Sequence, residues 1–273
     1  MSDWHGRLRT LVMAAPKPDE AARTWATVLS GRAEGTTVRL GDDTSIAIIE
    51  GPEHGLVEMR VDASQRLLEA VEAAGGEADG DAVLLRDPEG WPVRFTKVAD
   101  VAPIKLEAAT LSHCTLLSPD PMAQCTYWEG VGFRLSETIG EIFGWLRPNP
   151  VHHSLAFARG GQVGIQHLAV ELPDAGSLIA AVDAVVEAGG QIEFGPGRHI
   201  VGGNLFAYLV DETGIRWELC AELQRLAADE PAKRHPDEMR IRSINSFGPR
   251  PPASFIEQPG GPSPLQLQGA QAG

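Results

Sequence analysis

The chain carries one template twice. Laying the segment around Trp25 over the segment around Trp128 places Pro16 on Pro119 and Thr10 on His113. Further on, Gly55-Leu56-Val57-Glu58 lies over Gly164-Ile165-Gln166-His167, and the helix ending Glu72-Ala73-Ala74-Gly75-Gly76 lies over Val186-Glu187-Ala188-Gly189-Gly190. Asp87-Pro88-Glu89-Gly90 then matches Asp211-Glu212-Thr213-Gly214, which sets Arg94 opposite Glu218. Between the Gly55 and Glu72 segments the offset grows by a few residues, as a slightly longer helix in the second copy allows. Such a duplication restricts the fold to two similar bodies, and 273 residues with 43% hydrophobic content supply two cores of about 100 to 125 residues each.

Each half divides again into two units of strand, helix and several strands. In the second half, residues 108–118 read as a strand and residues 119–130 as a helix opened by Ser118 or Asp120, with Pro121 in its first turn. Alternating apolar stretches follow through Phe133 to Arg159. The fourth unit opens with a strand over 164–172 and a helix over 175–188, stopped by Gly189-Gly190. Strands around 191–193, 205–210 and 215–221 close it, the last two joined by a tight turn at Asp211 to Gly214. The expected class is α+β: paired βαβββ modules forming two half-open barrel domains. The predicted divisions are 1–100, 101–223 and a C-terminal extension over 224–273. Within the extension, the charged stretch Ala227 to Glu238 suggests a short helix. Met239, Ile241, Ile244 and Phe247 suggest a segment folded back over the second half. Gly260 to Gly273, rich in Pro, Gly and Gln, is expected to be disordered.

His113 and His167 fall on the opening strands of the third and fourth units, and Glu218 on the closing strand of the last. A single His on a strand is more often structural than a ligand. Equivalent positions in curled units converge on one barrel interior, however, and two imidazoles with one carboxylate bind one face of a divalent ion while leaving the other open. The front half offers Thr10, Glu58 and Arg94 at the same points, which cannot form that site. With no cysteine in the set and only one negative charge, iron(II) or manganese(II) is favoured over zinc where substrate and dioxygen must share the ion.

A formal charge of −14 with no basic stripe argues against nucleic-acid or anionic-membrane partners. Met1 to Pro16 is too weakly apolar for a signal peptide, and no stretch approaches the roughly 20 apolar residues of a membrane span. Cys114, Cys125 and Cys220 have no paired spacing, which fits a reduced, cytoplasmic setting.

The stretch Gly195-Pro196-Gly197-Arg198-His199, then Asn204, Phe206, Tyr208, Asp211, Gly214 and Glu218-Leu219, resembles the signature of the type I extradiol ring-cleaving catechol dioxygenases, in the vicinal oxygen chelate superfamily. In these enzymes a Gly-x-Gly-Arg-His turn is followed by a tyrosine nine residues after its His and by a ligand glutamate ten residues after the tyrosine; all three spacings are met. Asn149-Pro150-Val151-His152-His153-Ser154-Leu155-Ala156-Phe157 resembles the family's His-His pair, whose second His is catalytic. The resemblance covers roughly residues 8–222 and implies an inactive first domain. It implies His113, His167 and Glu218 as ligands of iron(II), or of manganese(II), with dioxygen as co-substrate. It also implies His153, His199 and Tyr208 as catalytic residues, His152, Asn204 and Phe206 as substrate neighbours, and a homo-oligomer acting on a small aromatic diol. After His199, Ile200-Val201-Gly202-Gly203 replaces the acidic residue usual in the biphenyl-diol branch, which is closer to single-ring homologues. The other classes within the superfamily are metal-dependent isomerases or lyases and metal-free sequestering proteins.

Overall fold

The computed structural model describes residues 5–239 and 244–271. The first unit is β1 (Gly6–Ala15), α1 (Pro18–Val28), β2 (Arg32–Glu34), β3 (Thr37–Arg39) and β4 (Ser45–Glu50). The second is β5 (Gly55–Ala63), α2 (Gln65–Ala73), β6 (Glu77–Asp79), β7 (Ala82–Arg86) and β8 (Pro92–Lys97). The third is β9 (Thr110–Ser118), α3 (Pro121–Gly130), β10 (Arg134–Ile139), β11 (Phe143–Arg147) and β12 (Leu155–Arg159). The fourth is β13 (Gly164–Leu172), α4 (Ala175–Glu187), β14 (Ile192–Arg198), β15 (Leu205–Val210) and β16 (Arg216–Ala221). The chain is therefore α+β with the paired βαβββ modules of the vicinal oxygen chelate fold, as the repeat predicts.

Local chemistry sets the helix starts. Asp120 caps α3 by accepting from Ala123 N at 3.1 Å with Pro121 next to it, and Asp174 caps α4 by accepting from Ser177 N at 2.7 Å. The strands order as β2-β3-β4-β1-β5-β8-β7-β6 in one sheet and β14-β15-β16-β13-β9-β12-β11-β10 in the other, with a further strand, β17 (Lys233–His235), on its β10 edge. In both sheets the two opening strands pair antiparallel, β1 with β5 and β9 with β13. Each unit's closing strand runs parallel to its own opening strand. The register reproduces the duplication: Arg60 pairs with both Thr10 and Arg94, as Ala169 pairs with both His113 and Glu218.

One apolar cluster runs through both halves and takes in Trp25, Trp91, Trp128 and Trp217. Two copies of an aspartate turn face each other's helices across it. Asp211 Oδ1 accepts from Thr213 N and Ile215 N, while its Oδ2 accepts from Trp217 Nε1 at 2.9 Å and, from the other half, from Trp25 Nε1 at 2.6 Å. Asp87 Oδ1 likewise accepts from Glu89 N and Trp91 N. Its Oδ2 and the nearby Trp128 indole are not aligned for a full hydrogen bond. Burial, little offset by those backbone bonds, pushes the Asp87 carboxyl up to about 7.

The structure differs from expectation in three ways. In the extension the charged stretch forms strand β17, parallel to β10, where Glu137 lies 2.6 Å from His235, and the short helix expected there is reduced to a 3-10 turn at Asp237–Met239. The glycine-rich motif before His199 is not a turn but the bulged end of β14. A Cβ on Gly197 would lie 2.7 Å from the Phe206 ring, so that approach requires glycine. The distal segment expected to be disordered, Gly260 to Gly273, instead carries a helix, α6 (Pro264–Gln271), and is preceded by α5 (Ala253–Glu257). Gly260 N donates to Ile165 O, Gly260 O accepts from Arg216 N, and Leu267 is 5% exposed against Gly55, so backbone bonds and one buried leucine anchor a polar sequence. Ile241 and residues 272–273 lie outside the described residues. Among the described residues no helix is long and apolar enough to cross a membrane.

Candidate metal centre

The central strands β9, β13 and β16 lie side by side and are buried almost throughout. Side chains alternate across a strand, so Cys114 and Leu116 enter the apolar core while His113 turns to the concave side of the sheet. There it meets His167 and Glu218. The three are 1%, 5% and 1% exposed, and their ligand atoms lie within 4.8 Å of one another. His113 Nε2 is 3.2 Å from His167 Nε2, and both are 3.0 Å from Glu218 Oε2.

That spacing tests whether an ion fits. Three atoms each about 2.1 Å from one ion and at right angles are separated by about 3.0 Å, whereas tetrahedral angles separate them by about 3.4 Å. The observed 3.0–3.2 Å lies between the two, nearer to three corners of one octahedral face. The remaining ligand atoms are tied back into the protein, as metal-binding side chains usually are. Ser112 Oγ lies 3.0 Å from His113 Nδ1, Gln166 Oε1 accepts from His167 Nδ1, and Asn204 Nδ2 donates to Glu218 Oε1 at 3.0 Å. These contacts leave Nε2 of each imidazole and Oε2 of the carboxylate free to converge.

Electrostatics favour the same protonation pattern. Burial pushes the Glu218 carboxyl up, but its close contacts with the His113, His167 and His199 rings outweigh it and hold the group well below the usual carboxylate range. Burial lowers His167 to about 4 against the pull of Glu218, so its ring is neutral and its lone pair available. Tyr208 is raised well above the usual phenol range by burial and the Glu218 charge, and stays a neutral hydroxyl.

The predicted catalytic residues surround the three ligands. His153 lies tilted against the His113 ring, with centroids 4.1 Å apart, and burial lowers it well below the usual histidine range. His199 Nε2 lies 2.8 Å from Tyr208 Oη and 3.7 Å from Glu218 Oε1, and its Nδ1 meets Ile244 O. The residues that the sequence reading sets beside the substrate have protein neighbours. Asn204 holds Glu218, Phe206 lies flat under His199 with centroids 4.0 Å apart, and His152 turns its Nε2 to Glu137 Oε1 at 3.3 Å. All three are buried.

Several participants had no sequence signal. Gln166 is the extra residue of a bulge between Ile165 and His167 in the β13–β9 pairing, which is how it reaches its neighbour's imidazole on a strand whose successive side chains otherwise diverge. From the extension, Phe255 packs on Tyr208 and Phe194 at 4.7 and 4.9 Å. Arg216 fixes this cap: its guanidinium pairs with Glu193 at 2.7 Å, donates to Gln258 O and Ser254 O, and lies 5.2 Å over the Phe255 ring. A motif search could not find Phe255, because only the cap's path brings it to the barrel mouth.

Residues 110–219 match the Glyoxalase/Bleomycin resistance protein/Dioxygenase superfamily and form a domain of it. Metapyrocatechase 2 of Cupriavidus necator is 24% identical over 227 residues, a match that takes in 80% of this chain and 65% of that relative's length. The fold is similar to that of the Mn(II)-bound glyoxalase from Novosphingobium aromaticivorans, with a TM-score of 0.75, 20% identity and coverage of 95% of this chain and 96% of the other. It is also similar to homoprotocatechuate 2,3-dioxygenase from Brevibacterium fuscum, solved as an anaerobic complex with 3,4-dihydroxyphenylacetate: the TM-score is 0.77 at 20% identity, over 92% and 91% of the two chains.

Proposed function

From a superfamily domain that carries this convergent site, we propose that the protein cleaves the ring of a catechol-type diol beside its hydroxyl pair, using dioxygen and a divalent iron held by His113, His167 and Glu218. Manganese(II) is the other ion this donor set accepts. The observation that carries the reading is the buried set of three ligand atoms near octahedral-face spacing, 3.0–3.2 Å apart, ringed by three further proton-handling side chains. Names of the relatives support it: metapyrocatechase and a 2,3-dioxygenase solved with a dihydroxyphenyl compound.

His113, His167 and Glu218 would hold the ion, which would supply Lewis acidity and a common meeting point for diol and dioxygen, removing most of the entropic barrier to their encounter. The rest is done by the chain. His153, neutral and desolvated against the His113 ring, takes and returns a proton at the oxygen side of the site. Tyr208 keeps its phenolic proton and donates a hydrogen bond to a substrate oxygen. His199, 2.8 Å from Tyr208 and stacked on Phe206, orients a substrate hydroxyl. The Phe255 cap limits water at the Tyr208 side. The product is a ring-opened semialdehyde or keto acid. We further propose a homo-oligomer in the cytoplasm, with the site confined to residues 101–223.

The test is anaerobic loading with iron(II), then a panel of single-ring and two-ring catechols in air, followed by oxygen electrode and visible absorbance. Oxygen uptake matched one to one with a yellow product is expected for at least one catechol. Neither uptake nor colour with any of them overturns the reading and leaves the metal-dependent isomerase chemistry of the superfamily.

A further inference from the structure

The site described so far does not use Glu137, a carboxylate buried on β10. Its Oε2 lies 2.6 Å from His235 Nε2 and its Oε1 3.3 Å from His152 Nε2, with Lys233 Nζ at 3.9 Å. His235 and Lys233 both come from β17, the strand that the extension adds beside β10. His152 in turn has its Nδ1 2.9 Å from Nδ1 of His153. Its backbone is held on both sides: its N donates to Gln224 O, and its O accepts from Ser136 Oγ. A continuous line of side chains thus joins the C-terminal extension to the His153 imidazole that lies against His113.

The contacts fix where the protons sit. Two Nδ1 atoms 2.9 Å apart hold one proton between them, since two N–H groups cannot point at each other. His152 Nε2 faces Glu137 Oε1 at 3.3 Å without the alignment of a full hydrogen bond, but a carboxylate only accepts and repels a lone pair, so the nitrogen turned to it, Nε2, is the protonated one. In a neutral ring His152 Nδ1 is then a bare acceptor, and the shared proton belongs to His153 Nδ1. Nε2 of His153 is left without a proton. This is the minority tautomer of a free histidine side chain, and the hydrogen bond to the His152 ring selects it.

We propose that Glu137 is a positioning residue that sets the tautomer of His153 through His152, so that His153 meets substrate with a bare Nε2 and acts first as a base. The role of β17 is to deliver His235 and Lys233, which keep Glu137 in place and charged. Acid duty follows only after that nitrogen has taken a proton from the diol. The inference rests on the assignment of His153 to the substrate side in the proposed function, but the tautomers themselves are a property of the protein alone.

Long-range proton–nitrogen NMR on uniformly 15N-labelled, metal-free protein reads both rings, with resonances assigned by their disappearance in His152→Gln and His153→Gln. The expected pattern is N–H at Nε2 of His152 and at Nδ1 of His153, with the other nitrogens bare. In Glu137→Leu the His153 Nε2 resonance is expected to move from the bare to the N–H range. A wild-type spectrum with the proton on Nε2 of His153 overturns the proposal, even if the variant fails to fold. So does a folded Glu137→Leu with the wild-type pattern. Neither result depends on metal, oxygen or catechol, so this test and the ring-cleavage test fail separately.

Discussion

Two sheets of one chain share order, register and direction, yet only the second brings metal-ligating side chains together. In the first, Thr10, Glu58 and Arg94 occupy the positions of His113, His167 and Glu218. Arg94 lies 3.0 Å from Glu58 and pairs with Asp79 at 2.6 Å, and Thr10 turns to Ser45 at 3.0 Å. An internal cation takes the place of a bound one. Burial pushes Glu58 up, but hydrogen bonds from Arg94 and Arg60 hold it below the usual carboxylate range. The comparison teaches that the duplicated fold supplies a meeting point for three side chains, while the identity of those side chains decides whether the charge there is structural or exchangeable.

The sharpest way to break the contrast is to remove one ligand. His113→Ala or Glu218→Ala is expected to abolish stoichiometric iron(II) retention, read by elemental analysis after desalting; a variant that retains one equivalent contradicts the assignment.

The two aspartate turns give a second contrast. Asp87 is raised to about 7 by burial, whereas an unfolded aspartate titrates near 3.9. The folded state therefore binds this proton more tightly, and Asp87 costs stability as pH rises from about 4 to about 7, by up to ~4 kcal/mol. Asp87→Asn is expected to flatten that part of the profile in denaturant melts between pH 4.5 and 8. Equal slopes in variant and wild type contradict it.

A smaller effect is expected in the first sheet. Arg94→Ala leaves Glu58, whose side chain is 12% exposed, without its main partner and should cost about 1–3 kcal/mol of stability. Iron content should stay at the wild-type value. Loss of iron on this substitution would mean that the front sheet takes part in metal binding.

Much of this was legible in the sequence because the duplication supplied its own control. Pattern and turn residues located the opening strands, helices and closing strands of the second half to within a few residues, and comparison of the copies isolated His113, His167 and Glu218. What stayed hidden depends on through-space meeting rather than on spacing. Gln166 acts on His167 only because a bulge breaks the alternation of β13. Glu137 gains His152 and His235 only because β17 joins the sheet edge. Gly260 to Gly273 reads as disordered because its Pro, Gly and Gln content conceals an anchor, Leu267, whose partner lies in a distant strand, and Phe255 just before it carries no motif to mark its contact with Tyr208. Phe206 and Asn204 were singled out in the sequence, but their contacts, beneath His199 and on Glu218, needed coordinates.

The asymmetry between the halves is tested most directly by counting metal in the wild-type chain after anaerobic loading with iron(II) and removal of free ion. One equivalent per chain is predicted. Two equivalents would mean that the front sheet also binds, and none would remove the centre on which the proposed chemistry rests.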